Sequence, residues 1–246
     1  MKRQVAAHQI FDATKLPDMG SLVSDLQTRE VVITSADTDD AEREAWLAQR
    51  LGKITGSRFG DVKRDKSGKG WGEGAETYLS ELIWEHVTGL QSSDFSGSKQ
   101  TEWGEMHEAE ARRSYEKITG NSVVIGVFYP LEGFDLVGCT PDGVGKKGLE
   151  IKCPYAAKAH FSTILKRRVP SDYIDQVTGH MLVTKRDGCD FVSYDPRLLK
   201  NRKDLATCIV EVPRNNFAIE ELQGRLYDFE KELKFRLDKL EIPWKK

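Results

Sequence analysis

Two short runs, Thr140-Pro141-Asp142-Gly143 and Gly148-Leu149-Glu150-Ile151-Lys152-Cys153-Pro154, constrain this chain more than anything else in it. Successive side chains of a strand point to opposite faces, so a strand over 149–153 puts Glu150 and Lys152 on one face and turns Ile151 and Cys153 into apolar packing. Asp142 closes an earlier apolar run, 134–139, and the stretch 143–148 is short enough to fold that run back beside Glu150. Two carboxylates and one ammonium then meet at one place. Pro141, Gly143 and Cys153-Pro154 border them as turn residues at strand ends, where sites are commonly built.

Such a trio suits phosphodiester hydrolysis. A hard divalent ion takes carboxylate, backbone carbonyl and water oxygens at octahedral positions and keeps waters to exchange for phosphate oxygens. It acidifies bound water and offsets charge on the pentavalent phosphate. A protonated lysine cannot ligate the ion, but it can orient the attacking water or neutralise the scissile phosphate. An acid and a base alternating on a strand is also the pattern of a solvated face, and the spacing alone leaves both readings open.

The 246 residues, 39% hydrophobic and 31% charged, are enough for a full core in one large or two small domains. No apolar run approaches the roughly 18 residues of a membrane span. Met1-Lys2-Arg3-Gln4-Val5 starts with charge but lacks an apolar continuation, so export is not expected and a cytoplasmic location is. Cys139, Cys153, Cys189 and Cys208 are widely spaced and predict reduced, buried strand residues rather than a zinc or iron-sulfur site.

A net charge of −2 does not mark a nucleic-acid binder, but local charge decides encounter. Residues 50–70 hold seven basic side chains against two acidic ones. Lys166-Arg167-Arg168 is a second basic knot, and Lys146-Lys147 lies between the two acidic elements. Any one of these is by default a solvated surface; three around one metal-type site fit a groove that tracks phosphates.

Periodicity and punctuation predict helices over 41–51, capped by Thr38-Asp39-Asp40 and broken at Gly52, then over 75–87 and 98–118. Thr55-Gly56-Ser57 is a cap for a short helix, and 64–74 reads as a flexible basic loop. Strands follow at 122–129, 134–139 and 149–153, helices at 157–166 and 172–184, strands at 190–194 and 207–212, and a closing helix over 217–240. The prediction is an α/β fold with a central mixed sheet of about five strands flanked by helices, organised as an N-terminal extension, 1–40, and one domain, 41–246.

Six motifs in this order resemble those of the lambda-type phage exonucleases, the YqaJ-like viral recombinases, within the restriction-endonuclease-like PD-(D/E)xK superfamily. They are Arg50-Leu51-Gly52-Lys53-Ile54-Thr55-Gly56-Ser57, Lys66-Ser67-Gly68-Lys69-Gly70-Trp71, Trp103-Gly104-Glu105-Met106-His107-Glu108, the two acidic elements, Asp175-Gln176-Val177, and Tyr194-Asp195-Pro196-Arg197. The resemblance covers roughly 45–195. The resemblance implies about 20 extra residues before the family's core here, and 217–246 is similar only in helical character.

The resemblance implies a 5′-to-3′ exonuclease that degrades one strand of linear double-stranded DNA to mononucleotides and leaves a 3′ single-stranded tail. It assigns Mg²⁺, for which Mn²⁺ can substitute and with two ions per site expected, to Asp142, Glu150 and the backbone carbonyl of Ile151. Lys152 matches the catalytic lysine, Glu108 a further acidic site residue and Gln176 an active-site glutamine. Arg50 and Ser57 match residues that hold the 5′-terminal phosphate, and Lys66 a basic residue of the loop before Trp71. A ring-shaped homotrimer threaded by DNA, a phage single-strand annealing protein as partner, and action inside a bacterial host cell are implied in the same way.

The residues themselves support these roles unevenly. Glu108 reads equally as an exposed helix glutamate, and Gln176 as a boundary amide. Arg50 can simply favour a helix C-terminus, or clamp a phosphate beside Thr55, Ser57 and the amides of a new helix. Trp71 can stack on DNA bases or fill core, and core is the expected place of Trp84. His107 and His160 are read as surface or packing histidines. Two other functions fit the same residues: a DNA-end-binding scaffold without catalysis, and a site-specific endonuclease.

Overall fold

The structure, a computed structural model, describes residues 40–92 and 99–244. The expected extension 1–40 lies, apart from Asp40, outside the described residues, as do Thr38, Asp39 and Ser98. In chain order the elements are α1 Asp40–Arg50, β1 Ile54–Thr55, a 3-10 turn Gly56–Asp61, α2 Glu73–Thr88, α3 Lys99–Thr119, β2 Tyr129–Pro130 and β3 Val137–Cys139. Then come β4 Gly143–Val144, β5 Gly148–Lys152, α4 Ala157–Lys166, a 3-10 turn Ser171–Tyr173 and α5 Ile174–Thr184. The chain ends with β6 Gly188–Tyr194, a 3-10 turn Pro196–Leu198, α6 Lys203–Ala206, β7 Thr207–Pro213 and α7 Asn216–Lys239.

The mixed α/β architecture is as expected, with the strands divided between a three-stranded sheet, β1-β3-β2, and a four-stranded sheet, β4-β5-β6-β7. β5 and β6 run parallel, Glu150 opposite Phe191 and Lys152 opposite Ser193. Parallel neighbours need a long crossover, here supplied by α4 and α5. β6 is buried along its whole length. Strand alternation sorts the side chains: Leu149, Ile151, Val192 and Tyr194 pack with Ala111 and Tyr115 of α3, whereas Cys189 and Phe191 pack with Val177 and Met181 of α5. Glu150 and Lys152 therefore face away from the α3 cluster.

α7 closes the molecule with a stripe, Leu222, Leu226, Phe229, Leu233 and Leu237, each 0% exposed. Burial stabilises by about 1.5–3 kcal/mol per such side chain, which outweighs the modest helix propensity of so charged a segment. Asn215 caps it through Ala218 N at 3.3 Å. At the other end of α2, Gly89 takes φ +68° and returns its N–H to Glu85 O, the left-handed stop that glycine adopts without steric cost.

Several expectations are corrected. The run 122–129 is no continuous strand: Gly126 has φ +74°, Val124 and Val127 are exposed, and only the Val124–Val144 bridge and β2 remain. The strand expected over 134–139 shrinks to β3 because the amides of Asp135 and Leu136 donate to the Glu230 carboxylate, at 2.8 and 2.6 Å, instead of to a neighbouring strand. Two strands, β1 and β4, were too short to leave a period. The basic segment 64–74 closes as a hairpin, with an Arg64–Trp71 bridge and Asp65 N donating to Gly70 O. Trp84 is 43% exposed rather than core. All four cysteines are free and buried, as expected. Among the described residues no helix is long and apolar enough to cross a membrane.

Candidate active site

The chain passes from the first sheet to the second between β3 and β4, and Asp142 sits on that link. The Ile151 amide donates to Asp142 Oδ2 at 2.6 Å, tying the link to β5. Glu108 of α3, Asp142, Ile151, Lys152 and Tyr173 line a cleft of about 420 Å³. Lys152 Nζ pairs with Glu150 Oε1 and lies 5.0 Å from the centre of the Tyr173 ring. Arg112, one turn after Glu108 on α3, pairs with Glu108 Oε1 through Nη2 and donates from Nε to the backbone oxygen of Asp142 at 3.2 Å. One guanidinium thus fixes the helix glutamate to the acidic link.

Burial, and next the charge of Glu150, push the Asp142 carboxyl up to about 7. Burial, and next Asp142, push Glu108 up to about 7, against the pull of Arg112. Glu150 is 0% exposed and is raised by that burial, which Lys152 opposes. Burial alone would lower Lys152, but the Glu150 and Asp142 carboxylates outweigh it, so the ammonium stays charged. His180 of α5 stands with Nδ1 3.4 Å from Glu150 Oε2; burial, with Lys152 nearby, pushes it down to about 3, so the ring is neutral.

Beyond its ion contacts, neither oxygen of Glu150 receives a hydrogen bond, although the residue is buried. A buried Glu150 with no hydrogen bond beyond its ion contacts, crowded by the half-buried Asp142 and Glu108, is an arrangement that a divalent cation offsets. Among the described residues no three His, Cys, Asp or Glu side chains are placed to hold an ion by themselves. With water, Asp142, Glu150 and the Ile151 carbonyl could offer only oxygen donors, a chemistry that fits Mg²⁺ better than zinc.

Arg50 lies close by: Nη1 donates to Thr140 Oγ1 at 3.2 Å, and Asp142 is among the charges that act on it. Burial lowers the guanidinium's pKa. Ser57 is exposed on the 3-10 turn, beside Gly56, where a Cβ would stand 2.9 Å from Cys139 Cβ. Gln176 is half-buried on α5, one turn before His180. Glu150, Arg50, Ser57 and Gln176 do not line the cleft, and neither do Lys66 and Trp71. Their hairpin rests on α7, with Trp71 edge-on to Phe229 at 5.1 Å, the Arg64 guanidinium 3.9 Å from the Trp71 ring centre, and Lys66 exposed. His107 packs on Trp103, and His160 is buried between Ser193 Oγ and Leu205 O. Sequence reading missed Arg112 and His180; both stand four residues after a site candidate, Glu108 and Gln176, and that helical spacing was the available signal.

Acids and a lysine delivered by a strand, the link before it and a helix to one cleft define the class: a restriction-endonuclease-like fold. Residues 45–187 match the YqaJ-like viral recombinase domain, and the chain belongs to that family. The fold is similar to that of the alkaline exonuclease LHK-Exo from Laribacter hongkongensis, at 31% identity and a TM-score of 0.70 over 80% of this chain and 96% of that one. LHK-Exo in complex with dAMP gives 32% identity and a TM-score of 0.70, over 80% and 95%. A phage related exonuclease from Haemophilus somnus 129PT shares the fold at 17% identity and a TM-score of 0.62, over 76% and 96%. Comparison with curated proteins gives no match.

Proposed function

We propose that this protein is a Mg²⁺-dependent 5′-to-3′ exonuclease that digests one strand of linear double-stranded DNA to mononucleotides and leaves a 3′ tail for recombination of the phage type. The observation that carries the reading is the meeting of Asp142, Glu108 and Lys152 in one cleft, in a chain similar over 80% of its length to an alkaline exonuclease. That relative has also been seen with dAMP, a deoxynucleoside monophosphate of the kind such digestion releases.

Asp142, Glu150 and the Ile151 carbonyl would hold Mg²⁺, or Mn²⁺ in its place and two ions at full occupancy, and the metal supplies Lewis acidity and acidified water when bound. Lys152, kept protonated by its carboxylate neighbours, offers N–H groups to the attacking water and to the scissile phosphate. Glu108, at about 7, can hold or give up a proton near neutral pH. Arg50 supplies a planar fork for the terminal 5′ phosphate, with Ser57 as a second donor, and so sets polarity. Gln176 serves as a neutral amide donor, while Lys66 and the open part of Trp71 follow the DNA. A homotrimer around the duplex, an annealing protein as partner and action in the host cytoplasm complete the proposal.

Linear duplexes labelled at the 5′ or the 3′ end, with and without a 5′ phosphate, test it in the presence of Mg²⁺. The 5′ label should leave first and faster from the phosphorylated end; earlier loss of the 3′ label refutes the polarity. A scaffold would retain ends and release no nucleotide, and an endonuclease would nick covalently closed circles.

A further inference from the structure

Resting on the reading of Glu150 as a metal-holding carboxylate, we propose that His180 is a positioning residue whose Nδ1–H fixes the Glu150 carboxylate for the ion. His180 is 1% exposed, and its Nδ1 has no hydrogen-bond partner. The group facing it is Glu150 Oε2, at 3.4 Å, itself buried and without a hydrogen bond. A buried ring nitrogen that can carry the imidazole proton and a buried acceptor, both unsatisfied, rarely face each other in a folded protein by accident, because each costs about 1–3 kcal/mol when left unmet. The separation is longer than a formed bond, and such bonds often tighten only when a site is loaded.

The division of the carboxylate is chemically useful. Lys152 takes Oε1 and the imidazole meets Oε2, so Glu150 is gripped from both sides and cannot swing. Outer partners of this kind orient metal-holding side chains. The surrounding packing fixes the ring itself. Gly179, the residue before it, has no side chain, and a Cβ there would lie 2.2 Å from Phe59, so α5 is pressed onto the 3-10 turn. A Cβ on Gly56 would stand 3.5 Å from His180 Nε2. The ring therefore lies between Glu150 and the turn that carries Ser57, linking the metal carboxylate to the proposed phosphate-holding segment.

Calorimetric titration of DNA-free protein with Mn²⁺, together with digestion kinetics on a 5′-phosphorylated duplex, tests the role in His180→Phe and His180→Asn, with folding checked by circular dichroism. Phenylalanine keeps the ring volume and removes the donor; asparagine places an amide N–H where Nδ1 stands. Expected are a loss of Mn²⁺ affinity of about 10–100-fold in H180F, a fall in kcat with unchanged KM for DNA ends, and substantial recovery in H180N. Wild-type Mn²⁺ affinity in folded H180F, or an equal loss in folded H180N, overturns the proposal. Wild-type protein that neither binds Mn²⁺ nor digests DNA overturns the nuclease reading itself, whereas active wild type matched by H180F overturns only the role of His180.

Discussion

The amide of Ile151 holds Asp142 Oδ2 at 2.6 Å, and this bond joins the first acidic element to the strand that carries the second. It fixes one oxygen of a carboxylate whose burial works against its own ionisation.

That opposition has a sign. Asp142 is raised from 3.8 to about 7 in the folded protein, so its contribution to stability is complete below the unfolded value and is lost as pH rises through about 7. Asp142→Asn keeps an oxygen for the Ile151 amide and removes the ionisation. In the presence of a chelator it should raise stability, and with it the unfolding temperature, at pH 8.5 and not at pH 4, by about 4 kcal/mol at most. It should also abolish digestion. Thermal scans at the two pH values check it; equal behaviour of the two proteins at pH 8.5 refutes it.

Lys152→Ala removes a charged donor from the cleft. Turnover should fall by about 10²–10³ while affinity for DNA ends is retained. Gel-shift titration beside single-turnover digestion separates the two effects, and unchanged digestion would remove Lys152 from the mechanism.

Arg50→Ala should erase the preference for a phosphorylated 5′ end, by about tenfold or more, the worth of one charge-assisted hydrogen bond. The rate on a 5′-hydroxyl duplex should change little. Parallel assays on the two substrates give the ratio; a preserved preference assigns the phosphate to other residues.

Gly179→Ala tests the seat of α5. Alanine ordinarily favours a helix by about 1 kcal/mol, but here its Cβ meets the Phe59 ring at 2.2 Å, so overpacking of about 1–3 kcal/mol wins. The variant should unfold at lower denaturant concentration and digest DNA more slowly. Stability equal to or above wild type would show that the Phe59 contact does not hold the helix.

The longer helices were legible where they carry a strong local sign, such as Gly89 at the end of α2 and the leucine stripe of α7, whereas α6, a single turn at 203–206, was not. Strand 149–153 was legible through alternation, and with it the common face of Glu150 and Lys152. The run 122–129 misled because β-branched residues favour extended chain whether or not a partner strand exists, and here, with Gly126 and solvent exposure interrupting it, only Val124 and Tyr129 are paired. Trp84 shows the same limit on a helix, since its apolar character does not say which flank of α2 is covered.

The chain by itself determined the family and the shared face of Glu150 and Lys152, because the order of short motifs and the two-residue period of one strand are properties of covalent sequence. Only the tertiary structure decided what surrounds Glu150. Arg112, His180 and Arg50 reach the site through contacts between segments far apart in the chain, and burial there, set by the packing of α3 and α5 on β5, governs how each acid and base is charged.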